Sequence, residues 1–412
     1  MSKLWRKLDN TAKIFSLDQK NNKNTFRLSV LLKEKIEFEV LKLAVIKTMK
    51  TYPSYKVKIK TGFFWNYLED NKKMPIVEEE NGFTCKIVDL RKNNDYLFKV
   101  TYFDNRINLD VFHVLTDGMG AITLLKGILS NYFDLKYNLK IVNQQILEDI
   151  DFPKDEYLVN ADTKLICKEE NKKAFLIQEK TNLVNNKTYH YVFNLEKFKK
   201  ICKKNNVSIT EYLTALYIYS IYKSVYDKSS NKDIRVTVPI DLRSYYKVQS
   251  FSNFFACMNI ESNVLNNQNV SFNQILNQVH NEFKNKLTEE NIKKYLARDV
   301  KLGTNIGIRL VPLFIKKLFI KYLGKLVTSS STTTLSNIGS ISLEEDYQKY
   351  IDNIIALVKP GKIQKVKCTV CSYKNNLTVT INSNLINNKL EDEFSKLLKE
   401  YIGDFKLESY IF

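Results

Sequence analysis

The sequence predicts an α/β protein (α+β, two-layer) built from two subdomains, and three observations carry that expectation. Both halves of the chain alternate between segments with an apolar period of two and segments with a helical period. Periodicity fades between Asn143 and Lys180, around the charged run Lys168-Glu169-Glu170-Asn171-Lys172-Lys173. The 412 residues also exceed one ordinary domain, at roughly 100–200 residues each. The expected division is an N-terminal subdomain over 1–160, a linker over 161–184 and a C-terminal subdomain over 185–412.

In the first half, Thr25–Leu32 reads as a strand, Phe38–Thr51 as an amphipathic helix stopped by Pro53, and Tyr55–Lys60 as a strand. Strands Tyr96–Tyr102 and Arg106–Leu115 follow, joined by the tight Phe103-Asp104-Asn105 turn. Gly118–Phe133 is a helix with Ile122, Leu125, Leu129 and Tyr132 on one face. The second half opens with strand His190–Phe193, after which Asn194 caps a helix carrying Leu195, Phe198 and Ile201. Ser208-Ile209-Thr210-Glu211 is a capping box that starts the next helix. Strands Arg235–Leu242 and Phe254–Ile260, a long helical region to Val327 and strand Thr332–Asn337 come next. A helix over Tyr347–Val358, a hairpin across Lys374–Asn376 and a terminal helix Glu391–Ile402 complete the expectation. The halves match in kind, without a residue-level repeat.

Composition narrows the function classes. Hydrophobic residues at 44% and charged residues at 26% exclude a mainly disordered chain, a collagen and a membrane-spanning bundle. The net charge of +19 suggests a polyanionic partner, yet only eight of the 64 basic residues are Arg. Bidentate recognition of bases and phosphates favours Arg, so the lysine excess reads as solvated surface and a nucleic-acid role is not expected. The first ten residues lack an apolar signal core and the six cysteines are scattered, which together imply a reduced, cytoplasmic setting. Cys368 and Cys371 form a lone C-x-x-C inside a strand pattern with no second pair, so no metal is expected.

The chemistry-bearing segment is His113-Val114-Leu115-Thr116-Asp117-Gly118, which closes a strand and opens a helix. Ile107, Leu109, Val111 and His113 share one face by the period of two, so the imidazole keeps apolar company, apart from Asn108 and Asp110. Burial there disfavours the charged form and leaves a neutral base near pH 7. Gly118 permits positive φ or the close approach of another backbone. The same residues also suit a plain structural reading, with His113 in a core, Asp117 as helix cap and Gly118 in a turn.

This pattern resembles the H-x-x-x-D-G motif of the CoA-dependent acyltransferase superfamily, which includes chloramphenicol acetyltransferase, condensation domains of peptide synthetases, plant acyltransferases and alcohol acetyltransferases. Three further segments are similar in type and order. They are Trp5–Lys13, which resembles the opening of bacterial alcohol acetyltransferase-like proteins, Val238-Pro239-Ile240-Asp241-Leu242-Arg243 with Asn253-Phe254, and Leu335-Ser336-Asn337-Ile338-Gly339. Phe112 stands where condensation domains usually carry a second His, and the D-F-G-W-G segment of plant members is absent. Both departures favour the alcohol acetyltransferase-like branch.

The resemblance implies two chloramphenicol-acetyltransferase-like subdomains with a tunnel between them. His113 would be general base midway, acyl-CoA the co-substrate and a small alcohol or amine the acceptor. It also implies that Asp117 is structural and pairs with Arg243, against the plainer reading of Arg243 as a surface strand end. Ser336 and Asn337 would line the tunnel or donate to the oxyanion, with packing or turn roles as the alternative. The other functional readings are condensation-type transfer from carrier-protein thioesters and an inactive binding or membrane-associated member of the fold.

One segment stands outside this scheme. In Leu313–Leu326, Lys317, Lys321 and Lys325 recur every four residues among Leu, Phe and Ile. Such a helix can lie on an anionic membrane as a peripheral contact. The commoner arrangement, a core helix with a solvated basic face, is the expectation here.

Overall fold

The computed structural model describes residues 5–18, 24–80, 88–139, 155–165, 167, 172–183, 186–263 and 269–411. The stretch 140–154, the charged residues 168–171 and Cys85 lie outside the described residues.

Two hydrophobic cores form, each where the apolar face of a sheet meets helices. The first sheet has five strands in the order Ile351–Val358, Thr25–Leu32, Arg106–Phe112, Phe98–Phe103 and Val77–Glu79. Leu28, Val30, Leu109 and Val111 from this sheet join Leu41, Val45, Leu125 and Ile128 from helices Phe38–Thr51 and Gly118–Tyr137. The second sheet has seven strands in the order Phe255–Ser262, Ile234–Asp241, Thr333–Ser340, Val366–Tyr373, Asn376–Ser383, Lys187–Asn194 and Lys406–Ile411. Thr333–Ser340 runs parallel to both neighbours and the other pairs are antiparallel. Helix Ile209–Ser224, opened by the expected Ser208–Glu211 capping box, is buried continuously from Glu211 to Tyr222 beneath this sheet. A three-stranded antiparallel sheet, Trp5–Lys7, Asn66–Asp70 and Val57–Thr61, completes the set.

The helix expected over Tyr347–Val358 is instead a single turn, Glu345–Gln348, followed by strand Ile351–Val358. The segment is mostly apolar and is buried on both faces except at Asp352 and the half-buried Val358. It therefore carries neither clean period, and tertiary pairing decides it. The strand pairs with Thr25–Leu32, so the second half of the chain supplies the edge of the first half's sheet. Short strands such as Trp5–Lys7 and Val77–Glu79 were not expected, since three residues hold no measurable period.

Strand Val366–Tyr373 is likewise buried on both faces, with Cys368 in the second core and Cys371 in the first. Residues three apart on a strand point to opposite faces, so these thiols do not converge on one ligand. Burial pushes both above the usual thiol range.

Asn108 and Asp110, on the face opposite Leu109 and Val111, are also buried. Arg27 reaches both Asp110 oxygens at 2.7 Å and Glu80 at 2.5 Å, and Arg106 donates to Glu80 at 2.9 Å. Two guanidinium groups thus face two carboxylates, which is what permits charge at such a depth.

The side chains of helix Leu313–Thr328 are described through Phe319, and over that part the expectation of a core helix is corrected; those of Lys321 and Lys325 lie outside the described residues. Lys316 is buried, while Phe314, Leu318 and Phe319 are exposed.

Candidate active site

His113 lies in the turn after strand Arg106–Phe112, its backbone N–H donating to the Asn24 carbonyl at 3.0 Å. The ring is partly buried among Phe26, Phe15 and Phe255, with centroids 4.5, 5.1 and 5.9 Å away. Phe26 sits opposite Val111 in the register, on the face that the period of two assigns to the imidazole. Phe255 comes from the second sheet, so the ring lies where the two halves meet.

Asn253 orients this ring. Its amide nitrogen donates to Asp9 Oδ2 at 3.0 Å and to the His113 carbonyl at 3.0 Å, leaving Oδ1 to face His113 Nδ1 at 3.4 Å. An oxygen can only accept, so the neutral ring carries its proton on Nδ1 and its lone pair on Nε2. Asp9 in turn caps helix Asn10–Phe15 through Ala12 N–H at 2.7 Å and accepts from the Asn253 backbone at 3.3 Å. Burial pushes its carboxyl up to about 7, against these donors. Asp9 and Asn253 both fall in segments that carried the resemblance, yet nothing in one sequence assigns either a role toward His113.

Asp117 and Arg243 meet. Asp117 Oδ1 accepts from Arg243 Nη2 at 2.9 Å and from Gly120 N at 3.2 Å, while Oδ2 accepts from Phe254 N at 2.9 Å. Arg243 also donates to Asp241 and to the carbonyls of Ser250 and Ser252, at 2.7, 2.9 and 2.7 Å. One ion pair therefore fastens the start of helix Gly118–Tyr137 to the loop that carries Asn253. Although burial opposes the charge, Asp117 and Asp241 raise the Arg243 pKa above its ordinary value.

The close approach expected at Gly118 occurs two residues later. Gly118 has no positive φ, and a Cβ there would have only Ile338 Cγ2 within 4.0 Å. A Cβ on Gly120 would lie 1.8 Å from Thr116 Oγ1 and 2.6 Å from the Phe251 carbonyl oxygen. Gly120→Ala is therefore expected to destabilise by about 1–3 kcal/mol. Gly118→Ala should change stability by less than about 1 kcal/mol, and urea denaturation of the two variants distinguishes them.

Asn337 takes a turn role. Its amide donates to Thr210 Oγ1 at 2.8 Å and its oxygen accepts from Gly339 N at 2.9 Å, holding a bulge in which Gly339 has φ +83°. Both ends of this side chain are thus in use. Ser336 is partly buried, and its hydroxyl has no hydrogen-bond partner among the described residues. It shares a face of the sheet with Lys367, which pairs with Thr334 in the register.

Burial pushes His113 down, to about 4, and Lys367 acts the same way, while Asp117, the Asn253 amide and the Thr116 backbone oppose them. The ring is therefore neutral throughout the physiological range. The sign of the stability effect follows. The unfolded chain takes this proton near 6.5 and the fold only near 4, so the His113 contribution is complete above about 6.5 and is lost as pH falls to about 4. His190, lowered to about 3 by burial and then by Arg106, adds the same sign. Asp9, raised to about 7, acts with the opposite sign over the same window, so the expected result is a comparison: between pH 7 and 4.5 the Tm of the wild type declines relative to that of His113→Gln, read by calorimetry. Equal slopes would contradict the depressed pKa.

Two mixed sheets backed by helices, with a strand lent from the second half to the first and a histidine turn at their junction, make up the chloramphenicol acetyltransferase-like fold. Among solved structures, trichothecene 15-O-acetyltransferase from Fusarium sporotrichioides matches 97% of this chain with 96% of its own, at TM-score 0.63 and 10% identity. F. graminearum TRI101, complexed with coenzyme A and T-2 mycotoxin, matches over 99% and 100% of the two chains at TM-score 0.63 and 10% identity. The starter condensation domain of rhizomide synthetase, in complex with C8-CoA, matches over 98% of each at TM-score 0.56 and 11% identity. No family model and no curated protein sequence matches the chain.

Proposed function

We propose that the protein is an acyl-CoA-dependent O-acyltransferase that transfers an acyl group, acetyl in the first instance, to a small alcohol, with His113 as general base. The observation that carries this reading is the His113 ring where the two sheets meet, with Nδ1 3.4 Å from Asn253 Oδ1 so that Nε2 is left as the basic nitrogen. In the reaction, Nε2 takes the acceptor's hydroxyl proton as the oxygen attacks the thioester carbonyl. The tetrahedral intermediate then collapses with cleavage of the C–S bond, and the imidazolium returns the proton to the CoA sulfur. Proton and acyl group are both accounted for without a covalent enzyme intermediate. Ser336 is the candidate hydroxyl donor to the oxyanion, a role worth roughly 3–4 kcal/mol where it is filled. Asp117 and Arg243 act as positioning residues. The order of the fold neighbours does not separate this reading from condensation-type transfer, but Phe112 does favour it, since that side chain is buried in the first core and offers no second base.

The test is release of free CoA thiol from a panel of acyl-CoA donors with alcohol and amine acceptors. Turnover of alcohols from free acyl-CoA is the expected result. Turnover only from a carrier-protein thioester would instead support the condensation reading.

A further inference from the structure

We propose that the face formed by helices Ile306–Leu310 and Leu313–Thr328 with the turn after strand Val57–Thr61 seats on an anionic phospholipid bilayer. Phe63, Ile306, Leu310, Phe314, Leu318 and Phe319 are between 64% and 73% exposed. Large apolar side chains scattered singly are ordinary on a surface, but six gathered on adjoining elements mark an interaction site.

The face is built as a unit. Leu313 N–H donates to the Phe63 carbonyl at 2.8 Å. The buried Lys316 ammonium donates to the carbonyls of Phe64 at 2.9 Å and Arg309 at 3.3 Å, and lies 3.7 Å from the centre of the Trp65 ring. At its described start this helix buries Lys316 and exposes Phe314, Leu318 and Phe319, the inverse of the arrangement water demands. That inversion suits a helix whose outer face leaves water.

Charge selects the occupant. From Val300 to Leu343 the chain carries six basic residues and no acidic one. Among those described, Lys301 and Arg309 are exposed and Lys317 is half-buried, with the exposed Lys60 on the neighbouring strand. Aromatic and aliphatic side chains ringed by cations match the chemistry of an interface with anionic headgroups, each nearby cation adding about 1 kcal/mol. A second copy of the chain would set this basic rim against itself about a two-fold axis, which is repulsive.

The experiment is co-sedimentation of the full chain with vesicles of phosphatidylcholine alone and of phosphatidylcholine with phosphatidylglycerol in a two-to-one ratio. The expected result is binding to the anionic vesicles that weakens as salt is raised. The Phe314→Ser/Leu318→Ser double variant should bind at least about tenfold more weakly, and Lys317→Glu should lose most of the preference for anionic lipid. Both phenylalanine and leucine are exposed, so unchanged circular dichroism is expected and separates lost binding from lost folding. Equal binding to the two vesicle types, unaltered binding by the double variant, or a dimer in solution that the double variant dissolves would each overturn the proposal.

Discussion

His113→Ala is expected to lower kcat/KM for acyl transfer from acyl-CoA to an alcohol by about 10²–10⁴-fold, the range over which a positioned acid–base group contributes. The loss is large because one nitrogen serves both halves of the reaction, accepting the hydroxyl proton and delivering it to the sulfur. The ring also packs against Phe15, Phe26 and Phe255, so its removal leaves space in an aromatic setting. His113→Gln controls for this by retaining bulk and an amide that can still meet Asn253. Both variants should lose activity to a similar degree while His113→Gln keeps more of the wild-type Tm. Wild-type rates in either variant, with acceptors that are turned over, would show that His113 is not the base. A matching kinetic signature is an acid limb of kcat/KM well below 6.5, because the imidazole protonates only near 4.

Removing either member of the Asp117–Arg243 pair is expected to cost about 3–5 kcal/mol, since Asp117 is left without a cation in a buried place, or the guanidinium keeps only the more exposed Asp241. Asp117 joins three parts of the fold. It accepts from Gly120 N, Phe254 N and Arg243 Nη2 and so ties the helix start, the second-sheet loop and the guanidinium together. The double variant Asp117→Ala/Arg243→Ala should therefore lose less than the sum of the two single losses, with a coupling of about 0.5–3 kcal/mol in a double-mutant cycle from urea unfolding. Strict additivity would mean that the two side chains act independently. Activity should fall with the ion pair as well, because Asn253 adjoins Phe254 and loses its fixed register against His113.

Much of the local structure was legible in the residues. Phe38–Thr51 and Thr25–Leu32 occupy the spans their periodicity predicts, and Asn194 and Ser208 cap the helices they were expected to cap. These signals are local: one apolar face, one period, one cap. The segment Ile351–Val358 lacks such a signal because both of its faces carry apolar residues, and the terminal strand Lys406–Ile411 has no clean apolar period. At the site, His113, Asp117 and Arg243 stood out as scarce or paired residue types. Asn253 and Asp9 did not, since an asparagine before a strand and an aspartate before a helix each have an ordinary local explanation.

By itself, the sequence determined the elements with a clean period or cap, the face to which the period of two assigns His113, and the motif that brings Asp117 to the helix start. Backbone period and capping chemistry depend only on neighbours a few residues away, and one chain contains all of them. Only the tertiary structure decided that Asn253 selects the tautomer across 140 positions of chain, that the second half completes the first sheet, and that the helix at Leu313 turns its phenylalanines outward. Each of these depends on what covers a face, and that cover comes from parts of the chain whose distance in sequence carries no trace of their contact in space.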